Sequence, residues 1–185
     1  MRTLRVIALV VLCSVATAHA ETFTIDPAHS TIAFKVRHML GNARGKFSKF
    51  SGTIEVDRDH PQQSSVTVKI VAASIDTGIA KRDEHLRGEL FDVARYPEIT
   101  FKSRRVKQTG ANSGEITGDL TMHGLTREIT LSVQMIGNDN RRWKVSTPPL
   151  KRSQFGLVFS KSAETVSMIS DDVAVEIEIQ ADRAR

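Results

Sequence analysis

Cysteine is almost absent from this chain. The one thiol, Cys13, sits inside an apolar run near the N-terminus. Beyond it there is no disulfide staple, no thiolate nucleophile and no sulfur ligand for zinc, so the fold must hold by packing alone. Aromatic residues make up only 5% of the chain, and the basic residues are interspersed with acids. A nucleic-acid surface would show a basic stripe interleaved with stacking aromatics; none is expected here. After the first twenty residues no apolar run approaches the roughly 18 residues that a spanning helix needs. There is no H-E-x-x-H, no G-x-S-x-G and no glycine-rich phosphate loop. Low-complexity segments and internal repeats are also missing.

The first twenty residues have a character of their own. Arg2 and Arg5 form a basic start, Val6 to Ala16 an apolar core, and Ala18-His19-Ala20 a small-x-small end. This is the pattern of a secretory signal peptide, with cleavage expected after Ala20. Leu12 before Cys13 is not the small residue that a lipoprotein signal requires. The expected location is periplasmic or secreted, and residues 21–185 suit a single domain. Formal net charge is +5 for the whole sequence; without Arg2 and Arg5, 24 basic and 21 acidic residues remain. That is a mixed, solvated surface.

Period-two alternation dominates the chain from residue 22 onward and marks half-buried strands. Ile32, Phe34 and Val36 alternate with Lys35 and Arg37. Val66, Val68 and Ile70 alternate with Thr67 and Lys69. Ile129, Leu131, Val133 and Met135 oppose Thr130, Ser132 and Gln134. Val173, Val175, Ile177 and Ile179 oppose Glu176 and Glu178. Weaker strands are expected at residues 22–26, 51–57, 98–106, 114–122, 141–146 and 155–160. Asn112-Ser113-Gly114 and the stretch 137–140 suit hairpin turns, and Pro148-Pro149 should interrupt pairing. Eight to ten amphipathic strands with short turns predict an all-β sandwich or closed barrel. At eight strands a barrel interior is either filled or holds one small ligand. Inward candidates are mainly Val and Ile, which leaves room.

One segment breaks the alternation. From Ile79 to Phe91 the apolar spacing puts Ile79, Leu86 and Leu90 on one helical face, with Asp76 and Thr77 as N-cap types. It contains K-R-D-E-H-L-R, residues 81–87. Asp83 and His85 point about 200° apart on a helix and form no dyad, whereas Asp83 and Arg87 are spaced to pair. Met39 to Lys49 is expected to hold a second helical or looped insertion. The five histidines after residue 20 (His29, His38, His60, His85 and His123) show no ligand spacing, so a metal site would need distant partners.

Six ordered stretches carry a resemblance. I-D-P-A-H-S-T-I-A-F-K-V-R-H (25–38), G-K-F-S-K-F-S-G-T-I (45–54), A-S-I-D-T-G with R-D-E-H-L (73–86), F-D-V-A-R-Y-P-E-I-T-F-K-S (91–103), G-D-L-T-M-H-G-L-T-R-E-I-T-L (118–131) and Phe155-Gly156-Leu157 resemble the YceI-like, polyisoprenoid-binding proteins. The likeness spans roughly residues 22–181. Leu90, Glu128 and Gln154 depart from residues common in that family. The resemblance implies an extended, lipocalin-like antiparallel β-barrel of about eight strands with one or two short helices and a long apolar cavity. It implies a non-enzymatic binder of a long-chain amphiphile: a polyisoprenoid, an isoprenoid quinone or a fatty-acid-like lipid. The implied wall is Phe34, Val36, Phe47, Phe50, Val68, Ile70, Leu86, Leu90, Phe91, Phe101, Leu120 and Leu131. His38, Arg82 and His85 are candidates to meet a head group. No cofactor, metal or catalytic residue is expected, and homodimerisation is left open. Two rival functions are a metal-assisted enzyme using His29, His38, His85 or His123, and a stress-related protein-interaction module.

Overall fold

The period-two segments become one continuous antiparallel sheet. The computed structural model describes residues 20–137, 141–159 and 168–184, so residues 1–19 of the signal peptide expected at 1–20, and part of the 137–140 turn, lie outside the described residues. Among the described residues the strands are β1 (Ala20–Ile25), β2 (Thr31–His38), β3 (Gly41–Phe47), β4 (Phe50–Asp57), β5 (Ser65–Val71), β6 (Ile75–Asp76), β7 (Glu98–Gly110), β8 (Ser113–Met122), β9 (Leu125–Ile136), β10 (Arg142–Ser146), β11 (Leu150–Lys151) and β12 (Asp172–Arg183). Pairing runs β1-β4-β5-β7-β8-β9-β10-β12 and returns to β1. That closes an eight-stranded barrel of the extended, lipocalin-like kind and removes its free edges.

β12 is long enough to serve two neighbours along one edge. Residues 181–183 pair with β1 and residues 173–178 pair with β2. The β2–β3 hairpin therefore prolongs one wall beyond the ring, and β6 adds to β3. Pairing ends before Pro148-Pro149, and the short β11 resumes it.

The structure departs from expectation at three places. Residues 41–47 are a strand, not a helical or looped insertion. Of its inward positions Gly41, Ala43, Gly45 and Phe47 only the last is large, so no apolar alternation shows. At Gly45 the neighbouring strand fills the space: a Cβ there would lie 2.5 Å from Cζ of Phe34, its cross-strand partner. The strand expected at 155–160 is not formed by its described residues, 155–159. Arg152–Phe155 is a 3-10 turn ended by left-handed Gly156 (φ 69°), and residues 157–159 continue without strand pairing. The helical excursion is real but shorter: helix α1 (Ala80–His85) runs into a π-type turn, Leu86–Leu90.

Within that excursion the pairing differs from the expected one. The N-cap is Ile79, with no side-chain cap, and Ile79 is 53% exposed. Of the expected face, Leu86 and Leu90 are buried and Ile79 is not. Asp83 does not pair with Arg87. It is buried and turns back to accept from the Thr77 amide (2.9 Å) and the Thr77 hydroxyl. Arg87 reaches the other way and donates to the carbonyls of Ala73 (2.7 Å) and Ile75 (2.6 Å). Both charges therefore tie the helix to the chain that precedes it.

His123 and Gly124 make the two-residue turn between β8 and β9, with φ of 51° and 73°. Positive φ at both positions is the hairpin geometry that matches strand twist. A Cβ on Gly124 would also fall 2.6 Å from Cε1 of Tyr96, whose ring packs edge-on against His123 at 4.6 Å. Gly124→Ala should thus lose about 1–3 kcal/mol of stability through strain and overpacking. Urea denaturation against the parent chain measures it, with an unchanged midpoint counting against this reading.

Candidate functional site

The barrel encloses an apolar cavity of about 610 Å³, inside the roughly 300–1,000 Å³ range of small-molecule sites. Its wall is the inward half of each alternating strand. β5 supplies Val66, Val68 and Ile70; β9 supplies Ile129, Leu131 and Val133; β12 supplies Val173, Val175, Ile177 and Ile179. Phe101 and Leu120 face in from the paired strands β7 and β8. Leu86, Leu90 and Phe91 cover one end together with Phe155, Leu157 and Phe159. Phe47 bridges wall and cover, with ring centroids 5.8 Å from Phe34 and 6.1 Å from Phe91. Because Val and Ile dominate the wall, the barrel stays hollow.

Polarity is confined to that covered end. Among the described residues the polar lining side chains are His38, Thr77, Arg82, His85, Thr147 and Arg152. The Arg82 guanidinium donates to the Thr77 hydroxyl (Nε, 2.8 Å) and the Thr77 carbonyl (Nη2, 2.9 Å). The Thr77 hydroxyl in turn donates to Asp83. A relay Arg82–Thr77–Asp83 thus fixes the guanidinium at the cavity's end. The His85 ring stacks on Phe159 (centroids 6.0 Å apart, planes within 3°) and its Nδ1 lies 3.2 Å from a Glu89 oxygen. Arg152 is buried and donates to the carbonyls of Leu157 (2.7 Å), Ser170 (3.1 Å) and Ile169 (3.4 Å), while its guanidinium sits 5.2 Å from the Phe159 ring centroid. It ties two separate stretches of chain to the mouth. Next to it, burial pushes the Asp171 carboxyl up. Hydrogen bonds from the Ser153 amide (2.9 Å) and hydroxyl (2.8 Å), with the charges of Arg152 and Lys151, outweigh that and hold it below the usual carboxylate range.

Of the residues expected around a lipid, Phe34, Val36, Phe47, Val68, Ile70, Leu86, Leu90, Phe91, Phe101, Leu120 and Leu131 all line the cavity, as do His38, Arg82 and His85. Phe50 is not among the lining residues. It is buried in a cluster with Phe23, Ile25, Ile32, Ile179 and Ala181, where β1, β2, β4 and β12 meet. Ile25, Ile32 and Ile179 of that cluster line the cavity, so Phe50 packs behind the wall. The β10 and β12 walls are missing from the expected set, although the alternation of Val173 to Ile179 signals an inward face. Arg152 and Thr77 have no comparable signal, because they act through backbone carbonyls and through Asp83. The histidines weighed as metal ligands do not come together: among the described residues no group of three or more His, Cys, Asp or Glu converges. His29 bonds to Asp26 at 2.5 Å and His123 to the Phe155 carbonyl at 3.2 Å, as structural turn residues.

Comparison with known proteins agrees with this architecture. The family model for the YceI-like domain matches residues 23–181. A UPF0312 protein of Vibrio parahaemolyticus is 35% identical over 161 residues, 82% of this chain and 85% of that one. Another UPF0312 protein, from Pseudomonas syringae pv. tomato, is 36% identical over 136 residues, 71% of each chain. The crystal structure of Burkholderia cenocepacia BcnA superposes with a TM-score of 0.75 at 28% identity, covering 84% of this chain and 98% of that one. A polyisoprenoid binding domain from Saccharophagus degradans shares the fold, with a TM-score of 0.67 at 20% identity over 90% of this chain and 100% of that one. With its closed barrel, ordered sequence blocks and matched family model, this chain belongs to the YceI-like domain family.

Proposed function

We propose that this protein is an exported, non-enzymatic binder of a long-chain amphiphile: a polyisoprenoid, an isoprenoid quinone or a fatty-acid-like lipid. One observation carries the reading: a cavity of about 610 Å³ whose walls are apolar along its length and whose polar groups gather at one end. Such a space suits a long hydrocarbon chain with a single polar head. Each buried CH₂ gains about 0.8 kcal/mol, so affinity scales with chain length without many polar contacts. Arg82 and His85, with His38 beside them, face the position of the head. The S. degradans domain is named for polyisoprenoid binding; what supports the same class of ligand here is this chain's own cavity. The N-terminal pattern of Arg2, Arg5 and the apolar run to Ala16 supports export.

Native mass spectrometry of the gently purified protein, followed by organic extraction, tests the reading. The expected result is a co-purifying mass that the solvent removes and whose fragments contain an alkyl or prenyl chain. Repeated absence of any such mass, with no uptake of added prenyl alcohol, defeats it.

A further inference from the structure

The hairpin β2–β3 carries charges of one sign. Between Thr31 and Phe47 the sequence contains Lys35, Arg37, Arg44 and Lys46 and no aspartate or glutamate. These four alternate with the inward set Phe34, Val36, Ala43 and Phe47, so they share the outer face. Lys35 and Arg44 are direct cross-strand partners. Like charges placed directly opposite destabilise a sheet. Acids do stand on the neighbouring strands, Asp76 opposite Lys46 and Glu176 opposite Ala33, yet no acid among the described residues comes within ion-pair distance of any of the four. Four cations left without an ion pair can take an external anion.

The tip of the same hairpin is apolar and uncovered. Met39 is 61% and Leu40 is 86% exposed. The tip adjoins His38, which lines the cavity's polar end. Ile79, Val158 and Met168, also exposed, lie within two residues of the lining residues Thr77, Phe159 and Ile169. Each exposed apolar residue is thus a close chain neighbour of a residue that lines the cavity.

We propose that the β2–β3 hairpin docks the protein on an anionic lipid bilayer. Met39 and Leu40 enter the interface, and Lys35, Arg37, Arg44 and Lys46 face the lipid phosphates. Apolar insertion and basic attraction are the two terms that give reversible interfacial binding. The geometry brings the mouth of the cavity to the membrane, so a chain passes between bilayer and barrel without crossing water. This deepens the lipid-binding reading and rests on it for its purpose, though not for its measurement.

Vesicle flotation tests it, using the purified chain with phosphatidylcholine vesicles and with vesicles containing phosphatidylglycerol. Flotation is expected with the anionic vesicles only, and to fall at high salt. Lys35→Gln with Arg44→Gln should weaken it roughly 30-fold, from about 1 kcal/mol per charge, and Met39→Ser with Leu40→Ser should reduce it as strongly. Circular dichroism and native mass spectrometry of co-purified lipid on the same variants separate docking from cavity binding. Absence of flotation in a chain that retains its cavity lipid overturns docking alone. Equal flotation of parent and variants also overturns it. A Met39→Ser, Leu40→Ser variant that turns a dimer into a monomer, with no flotation by either, assigns the patch to a second copy instead.

Discussion

Replacing Leu131 and Val175 with tryptophan is expected to empty the protein of long-chain ligand while leaving it folded. Both side chains point into the cavity, one from β9 and one from β12. Two indoles there occupy space that the chain of the ligand needs. Displacing about four CH₂ groups from the barrel removes about 3 kcal/mol, or roughly a 200-fold loss of affinity. In a packed core such substitutions would strain the fold by about 1–3 kcal/mol, but here the cavity takes the added volume and Tm should hold or rise. Glu176→Trp is the control: it adds the same side chain to the exposed face of β12 and should leave ligand content unchanged. Co-purified lipid per protein, read by native mass spectrometry, decides the matter. Parent-level lipid in the double variant would place the ligand elsewhere.

The barrel was legible wherever large apolar residues alternate with polar ones. β2, β5, β9 and β12 display their inward sets openly, and those sets form the wall. Alternation fails at β3 because its inward residues before Phe47 are Gly41, Ala43 and Gly45. Gly45 is small because the Phe34 ring lies over it, a long-range fact that no local pattern contains. It misleads after residue 154, where Phe155 and Leu157 are buried by a 3-10 turn closing over the barrel's end. Phe50 shows the limit of reading burial as function. It alternates as a wall residue should, yet it is buried among Phe23, Ile25, Ile32, Ile179 and Ala181 and does not reach the cavity surface. The polar end was half legible: Arg82 and His85 stand in a conspicuous charged stretch. Arg152 and Thr77 do not, since their partners are backbone carbonyls and a carboxylate on a neighbouring helix.

The charged stretch at residues 81–87 divides by role, and Asp83→Ala should separate the roles. Asp83 is 5% exposed and accepts two hydrogen bonds from Thr77. Bonds to a charged group contribute about 1.5–3 kcal/mol each, and a buried donor left unmade costs about 1–3 kcal/mol. Removing the carboxylate orphans the Thr77 amide and frees the start of α1 from the barrel. A loss of about 3 kcal/mol, or about 6–12 °C in Tm for a chain of this size, is the expected outcome. Asp83→Asn keeps an acceptor oxygen and should lose roughly half as much. The Thr77 hydroxyl also accepts from Arg82, so the Asp83→Ala variant should release the guanidinium as well and reduce lipid content below its folded fraction. His85 stacks on Phe159 and pairs, among the described residues, with the exposed Glu89; His85→Ala should leave Tm within a few degrees of the parent. Thermal melts and lipid content measured together on the three variants give the answer. Unchanged melting of Asp83→Ala would show that α1 is held by Arg87 and the apolar cover alone. A loss of stability with full lipid content would confine Asp83 to pinning the helix and leave Arg82 correctly aimed without it.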